Sequence, residues 1–146
     1  MELISSAFKD GEAIPDRYTC NGESISPPLE FVDVPANARS LALVLDDPDA
    51  PNGSFIHFVV YDINPSTSKF EENITPEGAI VGQNSLGRVD YAGPCPPSGT
   101  HHYFFKAFAL DIMLNLGPIS WHTLEGAMDR HIIDKAELMG VYEKTV

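Results

Sequence analysis

Apolar residues along this chain fall into short runs separated by clusters of turn formers. Three runs are long enough to be core strands: 40–46 (SLALVLD), 55–63 (FIHFVVYDI) and 102–111 (HYFFKAFALD). Shorter candidates lie near 29–32 and 79–82, with a first strand near 3–8 and a last one near 141–144. The breaks between them read "SPPLEF", "DDPDAPNG", "NPS", "TPEG" and "GPCPPSGT". Pro and Gly punctuation at such spacing, between runs rich in Val, Ile, Phe and Tyr, predicts an all-β sandwich or barrel. Side chains alternate across a strand. His57 is therefore expected on one face with Phe55, Val59 and Tyr61, opposite Ile56, Phe58 and Val60. Likewise His101 and Tyr103 should share a face with Phe105, Ala107 and Ala109, opposite Phe104, Phe108 and Leu110. Strands apolar on both faces are central strands, covered on both sides.

The period changes near the C-terminus. In "WHTLEGAMDRHII", Leu124, Ala127, Met128, His131 and Ile132 line one helical face, and Thr123 can cap its start. "DKAELM" predicts a second short helix with Asp134 as N-cap and Gly140 just past its end. No repeat, low-complexity tract or long linker interrupts the pattern. The expected fold is mainly β, an antiparallel Greek-key-like β-sandwich with two short C-terminal helices, as one domain over residues 1–146.

Composition narrows the function. Hydrophobic residues make up 43% and charged residues 21%, which fits a soluble globular domain. No apolar run reaches transmembrane length. The start lacks the basic and apolar regions of a secretory signal, so a cytoplasmic address is expected. The formal charge is −12, with 9 Lys+Arg against 21 Asp+Glu and no basic cluster, which argues against nucleic-acid and anionic-membrane partners. Cys20 and Cys95 form no CxxC pair. Two readings stand: reduced thiols, as in cytosol, or one disulfide tying the N-terminal loop to the later Pro-rich loop.

The stretch "LVLDDPDAPNGSFIHFVV" (43–60) raises the chemical question. Its loop is longer than a tight hairpin needs and holds three aspartates and two prolines. Taken singly, the aspartates are turn formers and His57 is a core histidine. Combined with "PCPPSGTHHY", they outline two stiff loops around His- and Tyr-bearing strand ends, where a pocket mouth would open. An X-Pro bond in the first loop is a candidate for the cis form.

"LALVLDDPDAPNGSFIHFVVYDI" followed by "GPCPPSGTHHYFFKAFALD" resembles the phosphatidylethanolamine-binding protein family, also called the Raf kinase inhibitor protein family. The opening "FKDGEAIPDRYTCNGESISPPLEF" and the closing "HIIDKAELMGVYE" are similar to its short bacterial and archaeal branch. The resemblance covers nearly the whole chain. It implies a β-sandwich with a small preformed anion pocket that accepts phosphate, phosphoethanolamine head groups, acetate-like anions or phosphorylated tyrosine. By motif, the implied pocket residues are Asp47, Asp49, Pro51, His57, Gly93, Cys95, Pro97, His101 and Tyr103. Three positions depart from the family pattern: Phe58 and Phe31 stand where Trp is usual, and His102 where Arg usually follows the pocket histidine. The resemblance also implies a protein partner, a kinase or a protease, and a homodimer.

An anion among aspartates is reasonable if a carboxylate bonds one imidazole nitrogen and the other becomes a charged donor. The aspartates are accordingly expected to orient and charge His57 and His101. The reading is a non-catalytic binding module with no metal or cofactor. Three alternatives compete with it. A serine peptidase inhibitor would use the polar 63–73 segment. A hydrolase would use the two histidines and the aspartates, but lacks a nucleophile elbow. A metal site could be built from two His and one Asp, without the short ligand spacing that would support it.

Overall fold

The structure is a computed structural model that describes residues 1–144. Eight strands form two antiparallel sheets: β1 (Glu2–Ile4), β2 (Leu29–Val32), β3 (Ser40–Asp47), β4 (Phe55–Ile63), β5 (Lys69–Phe70), β6 (Ile80–Val81), β7 (Thr100–Leu110) and β8 (Ile132–Glu143). The small sheet has the order β1-β2-β5 and the large one β6-β4-β3-β7-β8. A single α-helix among the described residues, α1 (Trp121–Met128), lies between β7 and β8 in sequence.

The two faces of the large sheet are both buried, as the doubly apolar strands predict. On one face Leu41, Leu43, Leu45, Val60 and Phe105 pack against Leu3, Leu29, Phe31 and Phe70 of the small sheet. On the other, Ala42, Val44, Val59, Tyr61 and Phe108 pack against Leu124 and Met128 of α1. The chain is mainly β, with a helix covering one side of the large sheet.

Four expectations need correction. "DKAELM" is strand, not helix: β8 pairs with β7 from Thr100 opposite Glu143 to Leu110 opposite Ile132. Good helix formers were overridden there by the long neighbour β7 and by the alternating burial of Leu138, Gly140 and Tyr142. The helix that does form is capped by Ser120, whose hydroxyl accepts from the Thr123 backbone N–H. Thr123 thus supplies the donor rather than the cap. His131 and Ile132 lie beyond the helix end at Met128. Finally, no peptide bond among the described residues is cis.

Strand β4 does not keep simple alternation. Phe58 sits opposite Leu45 and Ile56 opposite Asp46, which leaves His57 as an extra residue in a β-bulge. A bulge reverses the parity of what precedes it. Ile56 therefore joins Val59 and Tyr61 on the helix-covered face. His57 turns instead toward Tyr103, away from Val59 and Tyr61, and keeps Phe55 beside it.

Candidate functional site

The end of β3 and the start of β7 are neighbours, with Asp46 opposite Phe104. That register brings Asp47 to His101, whose Nδ1 lies 2.7 Å from the Asp47 carboxylate, with both residues buried. The second Asp47 oxygen accepts from the Asp49 backbone N–H at 2.8 Å. Both carboxylate oxygens are thus committed, one to His101 and one to the loop's own turn. A carboxylate on Nδ1 fixes that nitrogen as the donor and leaves Nε2 for another partner.

His57 is oriented differently from the expectation. Its Nδ1 donates to the Ala92 carbonyl at 2.7 Å, and the Ala92 N–H donates back to the His57 carbonyl at 3.0 Å. The bulge turns both groups of His57 toward the 91–95 loop, so a backbone carbonyl rather than an aspartate orients this ring. Burial lowers the proton affinity of His57 below the ordinary imidazole value, despite opposing help from the Ala92 hydrogen bond and the Asp47 charge. The expected charging of His57 by an aspartate is thereby outweighed by desolvation.

Tyr103 lies between the two imidazoles. Its ring meets His57 edge-on at a centroid distance of 5.4 Å and stacks with His101 at 6.3 Å. The Tyr103 hydroxyl is buried without a well-formed hydrogen bond among the described residues, and the Asp47 carboxylate is the acceptor that acts on it. Burial and the nearby Asp47 charge push its pKa well up, so it stays protonated and remains a donor.

Asp49 reaches the other face of β7. It accepts from the His102 backbone N–H at 2.8 Å and pairs with His102 Nδ1 at 2.7 Å, on the exposed side. This pair holds Asp49 below the usual carboxylate range. His102 thus supplies the loop-fixing partner that an Arg would supply. Asp49 fixes the 48–54 loop and does not touch His57 or His101.

The second loop is stitched to the 18–24 segment. The Gly93 N–H donates to Ser24 Oγ at 3.1 Å, and a Cβ on Gly93 would collide with that hydroxyl and with the Thr19 backbone. The Tyr91 hydroxyl donates to the Tyr18 carbonyl at 2.6 Å, and Cys20 N–H to the Pro94 carbonyl at 3.1 Å. Cys20 and Cys95 form a disulfide, which decides against the reduced pair. Pro51 and Pro97 are exposed loop residues.

Sequence reasoning missed Ala92, whose role is a main-chain carbonyl with no side-chain signal. Phe55, expected on the face of His57, does lie beside it, with ring centroids 4.7 Å apart. The 63–73 segment is not a free loop. It carries β5, a turn from Asn64 to Thr67, and Glu72, which accepts from Arg17 at 2.7 Å and Tyr18 at 2.8 Å. No three His, Cys, Asp or Glu side chains among the described residues are grouped to hold a metal.

Fold and site together define a two-sheet β protein with two backbone- or carboxylate-oriented histidines flanking a tyrosine. Residues 4–143 match the family model for phosphatidylethanolamine-binding protein, and the chain belongs to that family. A UPF0098 protein of Methanothermobacter thermautotrophicus is 46% identical over 99% of both chains. A phosphatidylethanolamine-binding protein homolog of Chlamydia trachomatis has a solved structure that superposes with a TM-score of 0.95 at 45% identity, over 99% of this chain and 97% of that one. YbcL of E. coli, described as a new member of the mammalian PEBP family, gives 0.92 at 28% identity, over 99% and 98%. No helix among the described residues is long and apolar enough to cross a membrane.

Proposed function

We propose that this protein is a non-catalytic binder of small oxyanions, phosphate or a phosphorylated group such as phosphoethanolamine, and regulates a protein partner through that site. The observation that carries the reading is the buried Tyr103 hydroxyl, without a well-formed hydrogen bond, set between His57 and His101. A poorly met buried donor costs up to about 1–3 kcal/mol, so an acceptor from outside would relieve it. Each flanking imidazole has its Nδ1 committed, which leaves Nε2 as the nitrogen that would meet that acceptor. A protonated Nε2 then makes a charge-assisted hydrogen bond to an oxyanion.

Both Asp47 oxygens are engaged in hydrogen bonds, which supports a positioning role over a nucleophilic one. Asp49 supports the loop through His102. Gly93 and Cys95 form the opposite wall, and Pro51 and Pro97 stiffen the two loops. The partner, a kinase in the reading that the family name suggests, would be engaged at this same edge of the sheet. A cytoplasmic address and a homodimer belong to the same proposal.

The test is a phosphate titration followed by the imidazole resonances of His57 and His101. Saturable shifts of both rings are expected in the native protein and none in His101→Gln. Absence of any saturable shift in the native protein would overturn the reading.

A further inference from the structure

Both partners of the Cys20–Cys95 disulfide are exposed. A cleft of about 190 Å³ adjoins the bond, lined by Cys20, Asn21, Cys95, Pro96 and Lys144. Lys144 supplies the only charge in that lining. An accessible disulfide beside an ammonium group is open to attack by a thiolate, because the cation attracts an anionic thiol and steadies the departing sulfur.

We propose that Cys20–Cys95 is an exchange site for small anionic thiols and that opening it loosens the His57 wall; the second half rests on the anion-binding reading above. In the first step a thiolate attacks one cysteine sulfur. The protein S–S bond breaks, its electron pair leaves on the other cysteine as a thiolate, and a mixed disulfide forms. A second thiolate attacks the small-thiol sulfur of that mixed disulfide and releases the second cysteine. Two small thiols become one small disulfide, their two protons end on Cys20 and Cys95, and two electrons pass to the protein.

The link to the anion site is a seam of contacts. Cys20 N–H donates to Pro94 carbonyl at 3.1 Å, Gly93 N–H to Ser24 Oγ at 3.1 Å, and His57 Nδ1 to Ala92 carbonyl at 2.7 Å. The disulfide is the covalent member of the seam that holds the Ala92 carbonyl against His57. Its loss leaves only hydrogen bonds to fix the ring, so the seam persists with more freedom.

The experiment treats the oxidised, native protein with 2-mercaptoethanesulfonate or with neutral 2-mercaptoethanol and follows mixed-disulfide formation by mass spectrometry. Lys144→Glu is expected to slow the sulfonate reaction roughly threefold or more relative to the neutral thiol, from the added like-charge repulsion at short range. Exchange that occurs only in denaturant, or a sulfonate rate indifferent to Lys144→Glu, overturns the exchange site. Phosphate affinity of the reduced native protein, and of Cys95→Ser, should fall severalfold below that of the oxidised form. Equal affinity overturns the coupling. If the oxidised protein binds no phosphate, the anion reading fails by itself, and hydrogen exchange of the Gly93 amide still reads the wall. Faster exchange on reduction supports the loosening and unchanged exchange refutes it.

Discussion

Tyr103 carries opposite consequences for stability and for binding. Its hydroxyl is buried without a well-formed hydrogen bond, so Tyr103→Phe removes a poorly met donor and costs the free protein little. Thermal unfolding of Tyr103→Phe should match or exceed the parent, while calorimetric affinity for sulfate drops about tenfold, as expected for losing a hydrogen bond to a charged group. A variant that loses stability in step with affinity would refute this account. The histidines add a pH signature. In the neutral ring, the Nδ1 proton of His57 is held by Ala92, so Nε2 is an acceptor and becomes a donor only when protonated. Anion binding therefore takes up a proton, and sulfate affinity, with a ligand that stays dianionic, should fall as pH rises. For the free protein the sign is reversed. The folded pKa of His57 is depressed by burial, so its contribution is present above the unfolded value near 6.5 and is lost as pH falls through the lower folded value. Chemical denaturation across that acid range, compared between the parent and His57→Gln, measures it. These residues were legible in sequence as motif positions; their orientation was not. A carboxylate beside a histidine suggested that aspartate would charge His57, whereas a main-chain carbonyl and desolvation decide its state.

At the scale of elements, β3 and β7 were readable because each is apolar on both faces and long, and both appear with nearly the expected ends. Strand β5, two residues in a polar segment, has no periodicity to detect. In β4 the alternation misplaced His57 because a bulge is a pairing property, set by how Leu45 and Asp46 meet their partners. Strand β8 failed for a related reason. Its central residues favour helix locally, but eleven paired positions on β7 and a period-two burial outweigh that preference. Gly140 exposes the packing at stake: a Cβ there would overlap Ile14 and Phe8, which the N-terminal segment lays over the strand. That segment is bonded to β8 through Gly11 N–H to Met139 carbonyl and Ile14 N–H to Val141 carbonyl. Gly140→Ala should therefore destabilise the protein by about 1–3 kcal/mol, the usual cost of overpacking. Urea unfolding measures it, and the cost of Gly140→Ala should shrink when measured in an Ile14→Ala background if the collision is the cause.

Over the whole molecule, the disulfide is the longest covalent constraint, closing a separation of 75 residues between the N-terminal loop and the second site loop. Composition could not choose between bond and free thiols, because the choice depends on two loops meeting in space. Here they meet through the Tyr91, Gly93 and Cys20 hydrogen bonds as well as the sulfurs. Those contacts are expected to hold the native fold after reduction, while the unfolded chain gains the entropy that the bond had removed. Reduction should lower stability by about 2–4 kcal/mol. For a chain of this size that is a melting temperature lower by roughly 5–15 °C. Calorimetry with and without dithiothreitol checks the shift, and Cys20→Ser should melt near the reduced parent and ignore the reductant. A reduced parent that melts with the oxidised one would overturn this entropic account of the bond, since only the covalent link persists in the unfolded chain.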